Sequence, residues 1–207
     1  MISPQEALKK LVDGNERFAT GNSTHPNRCD ETKNALLRQQ KPFVAVLSCS
    51  DSRVPVEIIF DAGLGDIFAV RTAGHVLSKE VMGSLEYAVK SLGVKLVMIL
   101  GHENCGAINT AIQTYQNKSY DDLSENLKSI MNHIYPAIEK VECKDNDGDF
   151  LNASVKSNIY YQLEDLMKKD DYIKQSVENG KIAVVGAMYS LVSGKVEIFE
   201  TKNAEIV

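Results

Sequence analysis

Two short stretches of this chain carry residues able to do chemistry. In VAVLSCSDSRV, residues 44–54, Cys49, Asp51 and Arg53 stand directly behind a run of apolar residues. In LGHENCG, residues 100–106, His102 and Cys105 follow a second such run. A thiol nucleophile is one reading. A phosphate-binding Cys–Arg loop needs a longer span between its two named residues, so that backbone amides can ring the phosphate, and here only three residues separate Cys49 from Arg53. A hydrolase in which His102 activates Cys49 leaves Cys105 without a role and sets Asp51 beside a thiolate that it repels.

A metal site uses every group. Cys49, His102 and Cys105 offer two thiolates and an imidazole, a soft donor set that suits tetrahedral Zn2+. His102 and Cys105 are three residues apart at the end of an apolar run, a spacing from which one turn can present both inward. Three protein ligands leave one position open, which marks a catalytic zinc, whereas a structural zinc wants a fourth Cys or His. Cys29 and Cys143 have polar surroundings and no partner spacing, and read as bystanders. Zinc lowers the pKa of bound water from about 16 toward roughly 7, and two thiolates weaken that effect. Asp51 can assist by accepting the water's proton in a hydrogen bond. Arg53 can hold Asp51 ionised in a bidentate pair, without which Asp51 is free to swing onto the metal as a fourth ligand.

The elements that must position these residues can be read from the same pattern. FVAVLS (43–48), IFAVR (67–71), KLVMIL (95–100) and KIAVVGAMY (181–189) are continuous apolar runs, as strands buried on both faces of a parallel sheet require. SKEVMGSLEYAVKSLG (78–93) is helical in period, with Gly93 placed to end it. SLVSGKVEIFE (190–200) reads as a turn at Ser193-Gly194 and an antiparallel edge strand. Residues 119–178 read as polar helices with a loop at KDNDGD (144–149). At the N-terminus, Ser3, Pro4 and Glu6 form a capping box for an amphipathic helix over 4–18, and ETKNALLRQQ (31–40) reads as a second helix. The expected fold is therefore α/β: a central, mostly parallel sheet of four strands plus an antiparallel edge strand, flanked by helices, with an extended N-terminal helical arm. One domain over 1–207 is expected, with 1–40 as the arm and 41–207 as the core. Ligands of open α/β sheets sit beyond the carboxyl ends of the strands, and both reactive clusters follow strands there.

Composition narrows the class. The net charge of -5 argues against a nucleic-acid surface, and no run of 18 apolar residues offers a membrane span. No signal-peptide pattern opens the chain, so a cytoplasmic protein with reduced thiols is expected.

CSDSRV, GDIFAVRTAGH, GSLEYAV and LGHENCGAINTA, in that order, resemble the β-class carbonic anhydrases, and the similarity runs from roughly residue 3 to 200. The resemblance implies reversible hydration of CO2 to bicarbonate and a proton by zinc-bound hydroxide. It implies one Zn2+ per chain on Cys49, His102 and Cys105, with Asp51 and Arg53 as the catalytic dyad orienting the zinc water and Asp51 as the fourth ligand of a closed state. Gln40, Phe68 and Tyr87 match substrate-pocket positions. A homodimer embraced by its N-terminal helices, or a dimer of dimers, is also implied. Two departures stand out. Arg71 and Tyr189 match two members of a non-catalytic bicarbonate pocket whose third position, a Trp in the family, falls at Val46. Thr72 and His75 stand where many members have Asn; His75 could shuttle protons, but a lone loop histidine is more often structural or exposed, and that is the reading taken. Hydrolysis of CS2 or COS on the same zinc, and a zinc-stabilised binding protein without turnover, are the alternative functions.

Overall fold

Val44–Cys49 (β1) and Leu96–His102 (β3) are buried at every position, which is why both read as unbroken apolar runs. They lie side by side and parallel in the centre of a five-stranded sheet. Outside β1 lies Ile67–Thr72 (β2), and outside β3 lie Ala183–Tyr189 (β4) and Val196–Lys202 (β5), giving the order β2-β1-β3-β4-β5. The first four strands are parallel and β5 pairs antiparallel at the edge, as the sequence implies. The fold is that of a computed structural model, which describes residues 2–141 and 150–203. Cys143 and the acidic 144–149 stretch lie outside the described residues.

The chain leaves β1 toward β2 and then crosses back over β1 to enter β3. The sheet therefore reverses its direction of growth between β1 and β3, and the carboxyl ends of those two strands border the crevice where such folds bind ligands. Cys49 ends β1 and His102 ends β3, so the topology alone sets both at the rim of this crevice.

Alternate residues of the strands face two cores. Ala45, Leu47, Cys49, Val97 and Ile99 pack with Lys79–Lys90 (α4), Gly106–Gln116 (α5), Glu125–Ile138 (α6) and Phe150–Lys169 (α7). Val44, Val46, Leu96, Met98 and Leu100 pack with Pro4–Ala19 (α1) and the short Val56–Ile59 helix (α3). Asp30–Leu36 (α2) and Asp171–Glu178 (α8) complete the helices named here. Gly101 is a close-approach point: a Cβ there would meet Ile159 Cδ1 at 2.6 Å, so only glycine lets α7 settle onto β3 beside His102.

α1 carries the expected capping box, with Ser3 Oγ accepting from Glu6 N and the Glu6 carboxylate accepting from Ser3 N. Its apolar stripe packs on the sheet of its own chain, where Ala7, Leu8 and Leu11 are almost fully buried. Burying the two leucines stabilises this docking by about 3–6 kcal/mol. Where the sequence suggests a helix over 31–40, α2 stops at Leu36. None of its residues is buried, so no core contact carries the helix further.

Candidate metal centre

Register explains how the donors meet. Ser48 of β1 is level with Leu100 of β3, so Cys49 and His102 leave the sheet within about one residue of each other. Cys105 follows three residues after His102 as the cap residue of α5, which turns it back beneath the strand end. Sγ of Cys49, Sγ of Cys105 and a ring nitrogen of His102 all lie within 4.8 Å of one another, and all three residues are buried.

The site's electrostatics call for a cation. The two sulfurs are 3.9 Å apart. The contact with the Cys105 sulfur, together with the backbone amides of Asp51 and Gly74, holds the Cys49 pKa well below that of an ordinary thiol. Cys105 is pushed far up by that same contact, by burial and by the charge on Cys49. The pair alone therefore holds one negative charge, and a second requires a positive partner. His102 Nδ1 donates to the Glu103 carbonyl at 2.8 Å, since a carbonyl can only accept, and this leaves the lone pair on Nε2. Nε2 is buried and has no hydrogen-bond partner among the described residues. An orphaned lone pair beside two sulfurs fits Zn2+ in both donor softness and number.

Asp51 and Arg53 adjoin this trio. Arg53 Nε donates to Asp51 Oδ1 at 2.9 Å and Nη2 to Oδ2 at 2.7 Å, and the Arg53 N–H adds a third bond to Oδ1 at 2.9 Å. These bonds hold the Asp51 carboxyl well below the usual carboxylate range. Its Oδ2 lies 3.8 Å from His102 Nε2. Arg53 Nη2 also reaches the Asn104 carbonyl at 3.4 Å, linking the dyad to the loop between His102 and Cys105.

Arg71 sits across from Ser48, and its side chain donates to the carbonyls of Cys49 at 3.2 Å and Asp51 at 2.7 Å. It thereby braces the loop that carries the dyad. Val46 and Tyr189 are buried in the core on the α1 face of the sheet. Phe68 and Tyr87 meet each other, with ring centroids 6.2 Å apart and Tyr87 49% exposed. Phe68 lies four residues before Thr72, the register partner of Cys49. At about 3.3 Å per residue it is some ~13 Å back along the strand. Gln40 is exposed in the connection between α2 and β1. Within one chain, then, these three residues do not wall the cysteine–histidine cluster. Cys29 is exposed, with its sulfur near Thr32 Oγ1.

His75 takes the structural reading, not the shuttle one. It is fully buried, its Nε2 accepts from Asn158 Nδ2 at 2.9 Å, and burial lowers its pKa to about 4, so at neutral pH it is an uncharged interior group. The same Asn158 amide donates to the Gly74 carbonyl at 3.0 Å, while its own oxygen accepts from Gln162 at 3.0 Å. Gln162 in turn accepts from Leu77 N at 2.9 Å. These bonds pin the 73–77 strap, where Gly74 has φ +69° and a Cβ would strike Ile134. That strap brings the Gly74 amide onto the Cys49 sulfur. Asn158 and Gln162 were not anticipated, yet Ser154, Asn158 and Gln162 repeat at helical spacing between Val155, Ile159 and Leu163, a buried polar ladder inside an apolar stripe.

Comparison with known proteins agrees with this geometry. Residues 44–196 match the family model described as carbonic anhydrase. Carbonic anhydrase 2 of Mycobacterium tuberculosis is 36% identical over 194 residues, covering 93% of this chain and 91% of that protein. The carbonic anhydrase of Mycolicibacterium smegmatis is 37% identical over 199 residues, covering 95% and 93%. Among solved structures, Coccomyxa β-carbonic anhydrase in complex with acetazolamide superposes with a TM-score of 0.73 at 22% identity, over 95% of this chain and 88% of that one. A tetrameric β-carbonic anhydrase from Sordaria macrospora gives 0.69 at 20% identity, over 87% and 90%. With its donor set at the β1/β3 crevice and its relatives matched over nearly the whole length, the chain belongs to the β-carbonic anhydrase family.

Proposed function

We propose that this chain catalyses the reversible hydration of CO2 to bicarbonate and a proton, with one Zn2+ held by Cys49, His102 and Cys105. The observation that carries the proposal is the convergence of those three donors within 4.8 Å beside an ion-paired Asp51. Zinc bound there supplies the Lewis acidity that makes hydroxide available near neutral pH. Asp51 serves as the fixed acceptor that takes the proton side of the reacting water in a hydrogen bond and turns a lone pair toward CO2. Arg53 keeps Asp51 ionised and occupies both its oxygens, which holds the carboxylate back from joining the cluster as a fourth donor. Arg71 keeps the carbonyls beneath this pair in place.

In this reading residues 1–207 act as one domain, with 1–40 as its helical arm and 41–207 as its core, and the protein works as a homodimer or dimer of dimers. Two features support self-association. β2 is an edge strand, and Ile58, Leu64 and Ile67 line an apolar hollow of about 450 Å3 beside it. Gln40 and Tyr87 are exposed, and Phe68 of β2 meets Tyr87 of α4, so a pocket completed between protomers is where these residues act on substrate. Sulfurs 3.9 Å apart must stay reduced to bind metal, which suits the cytoplasm. No helix among the described residues is long and apolar enough to cross a membrane.

The test is stopped-flow CO2 hydration near pH 7 and pH 8.5, with zinc quantified in the same sample. About one zinc per chain with faster turnover at the higher pH is expected. Full zinc occupancy with no turnover at either pH overturns the assignment.

A further inference from the structure

Glu103, next to His102, is held at four points. Its N–H donates to the Tyr189 carbonyl at 3.0 Å. Its carboxylate Oε2 accepts from Leu191 N at 2.8 Å and from Ser190 Oγ at 3.0 Å. Its carbonyl accepts from His102 Nδ1 at 2.8 Å. The anchor itself is firm. Ser190 N donates to Lys195 O at 2.8 Å and Gly194 N to Ser190 O at 3.0 Å, which closes the turn between β4 and β5. Asn15, buried on α1, donates to Gly194 O at 2.9 Å and accepts from Val196 N at 2.8 Å.

The Glu103 residue is fixed at its N–H by Tyr189 and at its side chain by the β4–β5 turn, and the next peptide, which carries the Glu103 carbonyl, is fixed at its far end by Asn104 N donating to Asn152 Oδ1 at 3.0 Å, so the carbonyl direction is set. That direction decides which nitrogen of His102 carries the proton, because the tautomer of a neutral imidazole follows the hydrogen bond made by its other nitrogen. We propose that Glu103 is a positioning residue of the metal centre: anchored to the β4–β5 turn through Ser190 and Leu191, it aims its own carbonyl at His102 Nδ1 and so presents Nε2 to the two cysteines. The turn thereby becomes part of the centre's outer support, and α1 reaches the centre through Asn15 and that turn. The inference rests on the reading of Cys49, His102 and Cys105 as a metal centre. Nothing in the spacing of GHENCG marks Glu103, since its anchor lies 87 residues further along the chain.

Two readouts test it without reference to catalysis. The first is the imidazole 15N shifts of His102 in the metal-free protein, which report its tautomer. The second is zinc affinity by competition with a chelator. Wild type is expected to show a single Nδ1–H tautomer. Glu103→Ala is expected to show mixed tautomers and to bind zinc about 10- to 100-fold more weakly, the usual loss when an outer-shell partner is removed. Glu103→Gln keeps an acceptor oxygen for Leu191 and is expected to recover most of both signals. Ser190→Ala removes the donor to the Glu103 carboxylate and, within the turn, the acceptor of Ser193 N at 3.2 Å; it is expected to shift both readouts the same way in smaller measure, and it serves if Glu103→Ala does not fold. Unchanged tautomer and unchanged zinc affinity in Glu103→Ala, or in Ser190→Ala standing in for it, overturn the proposal. A wild-type protein that binds no zinc sinks the metal-centre reading instead, and the tautomer measurement still decides the role of Glu103.

Discussion

Replacing Asn158 with leucine, a side chain of similar size, tests whether the buried ladder on α7 holds up the site. Asn158 is fully buried and makes three hydrogen bonds, to the Gly74 carbonyl, to His75 Nε2 and from Gln162 Nε2. Each contributes about 1 kcal/mol net, and each buried partner left unpaired costs a further ~1–3 kcal/mol unless it finds water. Gln162 retains its bond to the His133 carbonyl, which limits the damage on that side. The expected loss is about 3–6 kcal/mol, a large part of the ~5–15 kcal/mol that holds a typical domain together. At about 2–4 °C per kcal/mol for a chain of this length, the melting temperature should fall by roughly 6–24 °C. The assay is thermal and urea unfolding of wild type and Asn158→Leu in parallel, with the metal content of both preparations matched. Loosening of the 73–77 strap also withdraws the Gly74 amide from Cys49, so the variant should bind zinc more weakly than wild type. A melting temperature within about 2 °C of wild type would show that the ladder is incidental, and the argument from its three bonds would fail.

Other outcomes follow from the same geometry. His75 is uncharged in the fold, with a pKa near 4 against 6.5 in the unfolded chain, so its contribution is fully present above pH 6.5 and is lost as pH falls toward 4. That loss is about 3 kcal/mol, and urea unfolding at a series of pH values should show a slope in this window that His75→Gln lacks. Asp51→Asn should keep its zinc and lose CO2 hydration by about 10²- to 10⁴-fold in stopped flow; full activity with zinc bound would refute the dyad assignment. Arg53→Met frees Asp51 Oδ2, the oxygen near His102 Nε2, and leaves Oδ1 only its backbone bond, so zinc should be held at least as tightly while turnover collapses, which chelator competition and stopped flow together would detect. Leu64→Asp, in the apolar hollow beside the open edge of β2, should shift sedimentation toward monomer; an unchanged assembly would move the interface elsewhere.

Much of the site could be read before any coordinates. Unbroken apolar runs announce strands buried on both faces, and the donors that follow two of them must emerge at strand ends, so Cys49, His102 and Cys105 could be grouped from residue type and spacing. Asp51 and Arg53 could be paired because a two-residue spacing across a turn is a distance a guanidinium can span. The amphipathic helix at the N-terminus could be placed from its capping box, though not the surface it covers. Other features depended on contacts between distant segments. The β1–β2 register sets Phe68 opposite Ala45, four residues back from Cys49, and periodicity does not fix register. The fully buried state of His75 arises from α7 closing over the strap after Gly74, and no local pattern distinguishes such a histidine from an exposed one. Glu103 acquires a role only because β4 ends beside β3 and brings Ser190 and Leu191 within reach. Local chemistry is written in residue order, whereas which polar groups become buried, and against what, is decided only when segments far apart in the chain pack together.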